Sequence, residues 1–433
     1  MQSFAAINVL KNPVFRRLWF VTMAGGLSVG ATITTLGWVV VEESGSPFLV
    51  SLVLVSFMGP QLVAGPIGGV LADRFGRPRL IRLGTASRAV LAIVMAVSLF
   101  TLPHELFPLF VINTLRSVTT GATIPSRRAF MADIVPSRQL TSALALDEFA
   151  LTLMFIVGPV VTGSLLVFVE PGYIFLVLAV ISTIAVAVVP DAPEGINARV
   201  PGVAPPVRGS FVRELFAGFG YIKRSRILLA VTAISLAAEM LAFNYMILIP
   251  VFAKEVFNGG SELLGVLNGT MPAGELIGAA TMAVLAARVI RPGRVLTISI
   301  AMTFAIGIPL GASSWLPLTL VLLALIGGLG QAFFVMSSTM LLRETPSEAR
   351  ARVLGLQQVT WGAGALGGIV SGVIASTFNP HLGIIIPSAL GLGIVLVIVV
   401  LSPELRQGGR AISSDDDTPE IADSTMVTEQ SSN

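Results

Sequence analysis

The stretch Gly68-Gly69-Val70-Leu71-Ala72-Asp73-Arg74-Phe75-Gly76-Arg77-Pro78-Arg79 decides how this chain is read. It stands between two apolar runs, 48–71 and 80–101, each near or above the ~20 residues needed to cross hydrocarbon. Gly68 and Gly69 let two helices approach closely. Gly76 permits a tight turn. Asp73 is able to pair with arginines or to accept from a neighbouring helix N-terminus. Such a cluster can latch two halves of a molecule together. Simple anchoring by Arg74, Arg77, Arg79 and Arg82 accounts for the arginines and leaves Asp73 and the glycines unexplained.

Working outward, similar apolar runs recur. They read as spans at 18–41, 48–71, 80–101, 106–126, 140–168, 173–190, 227–252, 263–287, 295–313, 316–341, 353–376 and 383–402. The expected fold class is all-α integral membrane, with about twelve spanning helices. Composition agrees: 54% of the 433 residues are apolar and 12% charged, about half the soluble norm of ~25%. Mean hydropathy is +0.87. The first run is too long for a signal-peptide core and is expected to stay as an anchor. No cysteine is present, and His104 and His381 lie far apart, so thiol chemistry is excluded and a histidine metal site has almost no material. No cofactor is expected, and no Gly-x-x-x-x-Gly-Lys-Ser/Thr loop occurs for a nucleotide.

Charge placement gives the orientation. With the N-terminus in the cytoplasm and loops alternating, Lys254 alone of the 27 basic residues falls outside, while Arg88 and Arg116 fall within spans. Positive residues resist translocation, so both termini are expected in the cytoplasm of a cell's plasma membrane. The long internal connection 191–226 begins Pro/Gly-rich. Its second part reads equally as an amphipathic surface helix or as an extension of the seventh span. The expected domains are 1–190, the linker 191–226, 227–405, and a disordered acidic tail 406–433. Pro60 with Pro272, and Pro136-Ser137 with Pro346-Ser347, share an offset of roughly 210 residues, which implies duplicated units.

The loop at 68–79 resembles the signature of the major facilitator superfamily, Gly-x-Leu-Ala-Asp-Arg-x-Gly-Arg-Arg/Lys. The second half lacks a good copy: Gly278-Ala279-Ala280 leads to Arg288, Arg291 and Arg294 with no acid between. Asn12-Pro13-Val14-Phe15-Arg16-Arg17-Leu18-Trp19, Ile134 to Leu140 and Gly158-Pro159 extend the likeness to the exporter branch that includes the enterobactin exporter and macrolide-efflux proteins. That resemblance implies two pseudo-symmetric six-helix bundles, alternating access and a cytoplasmic latch at Gly69, Asp73, Arg74, Gly76 and Arg77. Arg116 followed by Gly121 partly matches a fourth-span motif linked to proton coupling, and Gly158-Pro159 partly matches a fifth-span antiporter motif. Both favour antiport.

Charges inside spans cost ~2.5–3.5 kcal/mol on insertion scales, so each needs a reason. Proton-coupling candidates are Glu239, Glu275, Asp147, Glu148 and Arg116. Arg116 paired with Asp147 or Glu148 is an equally good structural reading. Glu239 and Glu275 have no evident cation nearby, and a carboxyl so placed favours its protonated form. Arg88 is expected to pack or snorkel at the periphery. Cavity candidates are Trp38, Asn113, Phe243, Asn244, Tyr245, Asn268, Gln331, Gln357 and Trp361, a mixed aromatic and amide set suited to an amphiphile. Four acids against Arg116 lean toward cationic or neutral cargo. The expected function is proton-driven export of a small amphiphile by a monomer in the lipid bilayer, with no nucleic acid and no enzyme chemistry. A proton-coupled importer, a membrane-embedded enzyme and a non-transporting sensor are the competing readings. The last two lack a catalytic pattern and a sizeable soluble domain, respectively.

Overall fold

The computed structural model describes residues 9–191, 225–242, 245–285, 289, 291–345, 360, 362–403 and 405. Before the stretch 192–224 come α1 (Pro13–Ser44), α2 (Pro47–Phe75), α3 (Arg77–Thr101), α4 (Leu106–Ile134), α5 (Ser137–Leu165) and α6 (Pro171–Val188). After it come α7 (Arg226–Ala237), α8 (Tyr245–Val251), α9 (Ser261–Leu285), α10 (Pro292–Ala312), α11 (Leu316–Arg343), α12 (Gly364–Thr377) and α13 (Leu382–Leu401). Among the described residues there is no strand. Among them too, nine segments are long and apolar enough to cross a membrane, Arg226–Val256 counting as one. α4, α9 and α12 fall outside that nine. α4 carries Arg116, Arg127, Arg128 and Asp133, α9 carries Glu262, Asn268 and Glu275, and α12 has 14 residues. The chain is an all-helical multi-pass membrane protein.

Helix starts follow local chemistry. α1, α2, α3, α6 and α10 have proline within their first two positions, where the missing N–H costs nothing. Asn12 caps α1 by accepting from the Val14 and Phe15 amides, and its Nδ2 donates to the Ile134 carbonyl at 3.0 Å. α4 runs to Ile134 rather than to 126. Its buried face continues through Arg116, Thr120, Thr123, Arg127 and Phe130 at helical spacing, the helix carrying Pro125 in its interior and ending just before Pro136.

The same pairings occur on both sides of 192–224. α4 packs on α2 and α3, and α3 on α6; α11 packs on α9 and α10, and α10 on α13. Close backbone approach holds these pairs. A Cβ at Gly68 would meet Ala122 Cα at 2.4 Å, and one at Gly278 would meet Gly328 Cα at 2.8 Å. Gly68 and Gly278 keep the offset of roughly 210 residues seen in the prolines.

One apolar core is shared by residues before and after 192–224. It takes Leu36, Val39, Val40 and Val41 of α1, Val50 and Val53 of α2, Tyr245 and Leu248 of α8, and Leu264 and Leu267 of α9. These residues lie toward the end of the bundle that carries Ser44 and Glu170, called here the Ser44 end. The other two cores are not shared. One uses Phe15, Leu18, Ile81, Phe130, Met131 and Ala185, all before 192. The other uses Leu228, Ile234, Ile300, Phe304, Met336 and Val395, all after 224. The two sides are joined at the Ser44 end, and each keeps its own core toward the opposite, Phe75 end.

Candidate functional site

The joint is built from small residues and prolines. A Cβ at Gly163 of α5 would meet Ser261 O at 2.4 Å and Gly265 Cα at 2.7 Å, so α5 and α9 touch backbone to backbone. A Cβ at Gly265 would in turn meet Pro159 O at 2.5 Å. α2 meets α12 where Gly372 faces Ser51, and Gly368 faces Ile247 and Val55. Asn268 Nδ2 donates to Thr34 Oγ1 at 3.2 Å, tying α9 to α1.

Glu239 sits at the waist of this joint, in the π-helical turn Ala238–Ala242 that interrupts the run after α7. A π turn widens the helix and re-aims its side chains, and such turns recur at functional sites. Its carboxyl lies by Gly364 of α12, which also faces Met58 of α2. Glu275 lies in α9, where its backbone packs on Gly327 of α11. Neither Glu239 nor Glu275 has a hydrogen-bond or ion-pair partner among the described residues. Both are half-buried.

The other charged candidates are placed differently from expectation. Asp147, 1% exposed, accepts from Thr22 Oγ1 at 2.6 Å and from Arg127 at 3.1 Å. Glu148 is exposed and pairs with Arg128 at 3.2 Å. Arg116 therefore pairs with neither acid. Its guanidinium donates to Ser28 Oγ at 2.9 Å, Thr32 Oγ1 at 3.0 Å and the Arg88 carbonyl, and stands 5.6 Å from the Phe175 ring centroid. Arg88 does not snorkel. It is 9% exposed, lies against Gly25 of α1 and donates to Thr85, and its Nε has no partner among the described residues. No carboxylate among the described residues bonds Arg88 or Arg116. Two of the four acids are thus neutralised and a second arginine has joined the interior, so the charge count no longer selects a cationic or neutral cargo. Sequence reading missed Arg127 because the fourth span was ended at 126; the spacing of 116, 120, 123 and 127 was the available signal.

Within the signature loop, Gly76 has φ +89°, the left-handed side that favours glycine. Arg74 is exposed. Arg77 holds both Asp133 oxygens at 2.6 Å and the Ala129 carbonyl at 3.2 Å, which ties α3 to α4. Gly69 and Asp73 lie in the last turns of α2, and the Asp73 side chain is outside the description.

Three of the nine cavity candidates, Asn113, Tyr245 and Asn268, are engaged in hydrogen bonds. Asn113 Nδ2 donates to the Val53 carbonyl at 3.0 Å and to Ser56 at 2.8 Å, locking α4 to α2. Tyr245 is 3% exposed with its hydroxyl on Met271 Sδ at 2.9 Å. Gln331 is half-buried. Phe243, Asn244, Gln357 and Trp361 lie outside the described residues, as do 192–224 of the expected linker and the expected tail. Trp38 lines a cavity of about 490 Å³ at the Ser44 end, with Glu42, Glu170 and Glu262. At the same end His104 Nδ1 meets Glu43 at 2.9 Å, and that carboxylate raises the imidazole above its ordinary range.

The family model described as Major Facilitator Superfamily matches residues 18–364 and 240–423. Macrolide efflux protein A of Streptococcus pyogenes is 24% identical over 380 residues, 84% of this chain and 89% of that protein. Multidrug efflux pump Tap of Mycolicibacterium fortuitum is 26% identical over 92% of this chain and 98% of its own length. Enterobactin exporter EntS of Shigella boydii serotype 4 is 25% identical over 91% and 92%. Among solved structures, nucleoside transporter NupG superposes with TM-score 0.65 at 17% identity over 91% of this chain and 98% of that chain. A POT family transporter with a thioalcohol-conjugated peptide gives 0.71 at 13% identity over 90% and 96%. These two likenesses concern the fold. The chain belongs to the major facilitator superfamily.

Proposed function

We propose that this protein is a secondary exporter of small amphiphilic molecules, driven by protons through alternating access. The observation that carries the reading is the pair of carboxyls without a partner among the described residues, Glu239 and Glu275, at the waist where a shared core gives way to separate cores. A carboxyl without a cation in an apolar span is held protonated, and it releases that proton when water reaches it from one side. Rocking the two sides about the joint changes which side that is. Glu239 is the first coupling acid, because its carboxyl lies by Gly364 of α12, the residue that also faces Met58 of α2 on the other side. Arg116 and Arg88 keep a positive interior beside α1, and the engaged Asp147 and Glu148 hold α4 to α5. The orientation follows the arginines and lysines, with the Phe75 end and both termini in the cytoplasm. The Ser44 end then faces outward and is the closed one.

Export rests on the relatives, whose printed names are efflux proteins for macrolides, drugs and enterobactin. One proton crossing ~100 mV supplies ~2.3 kcal/mol, enough for roughly tens-fold accumulation. The test is flux in proteoliposomes, with a radiolabelled macrolide and with enterobactin, under an imposed pH gradient. Uphill movement of at least one probe against the proton flow is expected. Movement of cargo and protons in the same direction would make the chain an importer.

A further inference from the structure

The last turn of α1 carries no basic residue, although a helix C-terminus concentrates partial negative charge on its free carbonyls. A cation reaches it from elsewhere. Lys254 Nζ lies 3.2 Å from the Val41 carbonyl and 3.2 Å from the Glu42 carbonyl, more than two hundred residues away in sequence. Lys254 stands on the second π-helical turn, Phe252–Val256, in the part of the chain after 224. That turn is firmly seated on its own side. Phe252 and Ala253 are buried, and the Phe252 ring meets His381 edge-on at 5.4 Å. His381 in turn contacts the Gly311 carbonyl at 2.6 Å. Just before the turn, Pro250 presses on α1 where a Cβ at Gly37 would come within 2.9 Å.

A flexible ammonium on a rigid mount thus grips the end of a helix that belongs to the other side. Among the hydrogen bonds across the joint between described residues, it is the one that carries a formal charge, and it sits at the extreme of the Ser44 end. We propose that Lys254 is a positioning residue of the transport cycle, the latch of the closed outer face. It holds α1 to the second half in the state seen here and must release the α1 carbonyls before the outer face opens. This rests on the orientation and alternating access proposed above. The Val41 carbonyl also accepts from the capping Gly45 N–H at 3.1 Å, and neither carbonyl involves a carboxylate, so the latch depends on the charge at 254 and on the end of α1. Glu42, whose carbonyl is gripped, also lines the outer cavity with Glu170 and Glu262, so opening there widens the space where cargo would leave.

The chain has no cysteine, so two introduced thiols carry the only labels. Glu170→Cys and Glu262→Cys place one spin label on each side of the cavity, and double electron–electron resonance in lipid nanodiscs reads their separation. Lys254→Met is expected to raise the ratio of open to closed separations roughly five- to tenfold over the unsubstituted pair, the loss of a charge-assisted hydrogen bond. Lys254→Arg, which keeps the cation, is expected to stay near the starting ratio. A Lys254→Met distribution identical to the unsubstituted pair overturns the latch. Should Lys254→Met fail to insert, Lys254→Gln is read in its place with the same two outcomes. The distances need neither cargo nor a proton gradient, so a chain that exports nothing still tests this proposal.

Discussion

Arg127 and Asp147 meet at 3.1 Å with Thr22 between α1, α4 and α5, and both are buried. Two charges taken out of water together need each other. Removing one strands the other, at a cost of about 3–5 kcal/mol. Arg127→Met is therefore expected to lower the thermal stability of the purified protein sharply, whereas Arg127→Met with Asp147→Leu recovers most of the loss. Thermal unfolding in detergent checks this, and equal stability of the single and double variants would count against a buried ion pair. The same reasoning separates the interior acids by role. Asp147 and Glu148 have cations beside them, whereas Glu239 and Glu275 have none among the described residues, which is why the proposed coupling falls to the latter pair.

At the scale of helices, the joint depends on two backbones in contact. Gly163→Val is expected to hold α5 away from α9, because the atoms in its way are Ser261 O and the Gly265 backbone, which cannot rotate aside. A thiol cross-link between positions 160 and 269, near-neighbours across the joint, should form at least severalfold more slowly in that variant. An unchanged rate would mean that the close approach is not needed for closure. Much of the helix pattern was legible beforehand, because apolar length is a strong local signal and proline marks the starts. The π turns were not, since Ala238–Ala242 has nothing in its composition to set it apart. Arg88 read as peripheral because sequence gives its depth in the membrane but not the face it takes; Gly25, which makes room for it, lies on another helix. Lys254 read only as an exception to the charge rule, since its partners are backbone carbonyls that no side-chain pattern reveals.

For the molecule as a whole, orientation and energy source are the two large claims. Lysines and arginines predict cytoplasmic termini. A C-terminal fluorescent reporter that matures only in the cytoplasm should light up, and activity of a periplasm-specific reporter at that position would reverse the topology. The central claim is that a waist carboxyl couples protons to cargo. Its most direct test compares wild type with Glu239→Gln in the same vesicles, measuring proton-driven accumulation and downhill exchange of a transported macrolide. The glutamine keeps the shape of a protonated acid and cannot release a proton. The account predicts that uphill accumulation disappears while downhill exchange continues at near the wild-type rate. Wild-type accumulation by both Glu239→Gln and Glu275→Gln would contradict it.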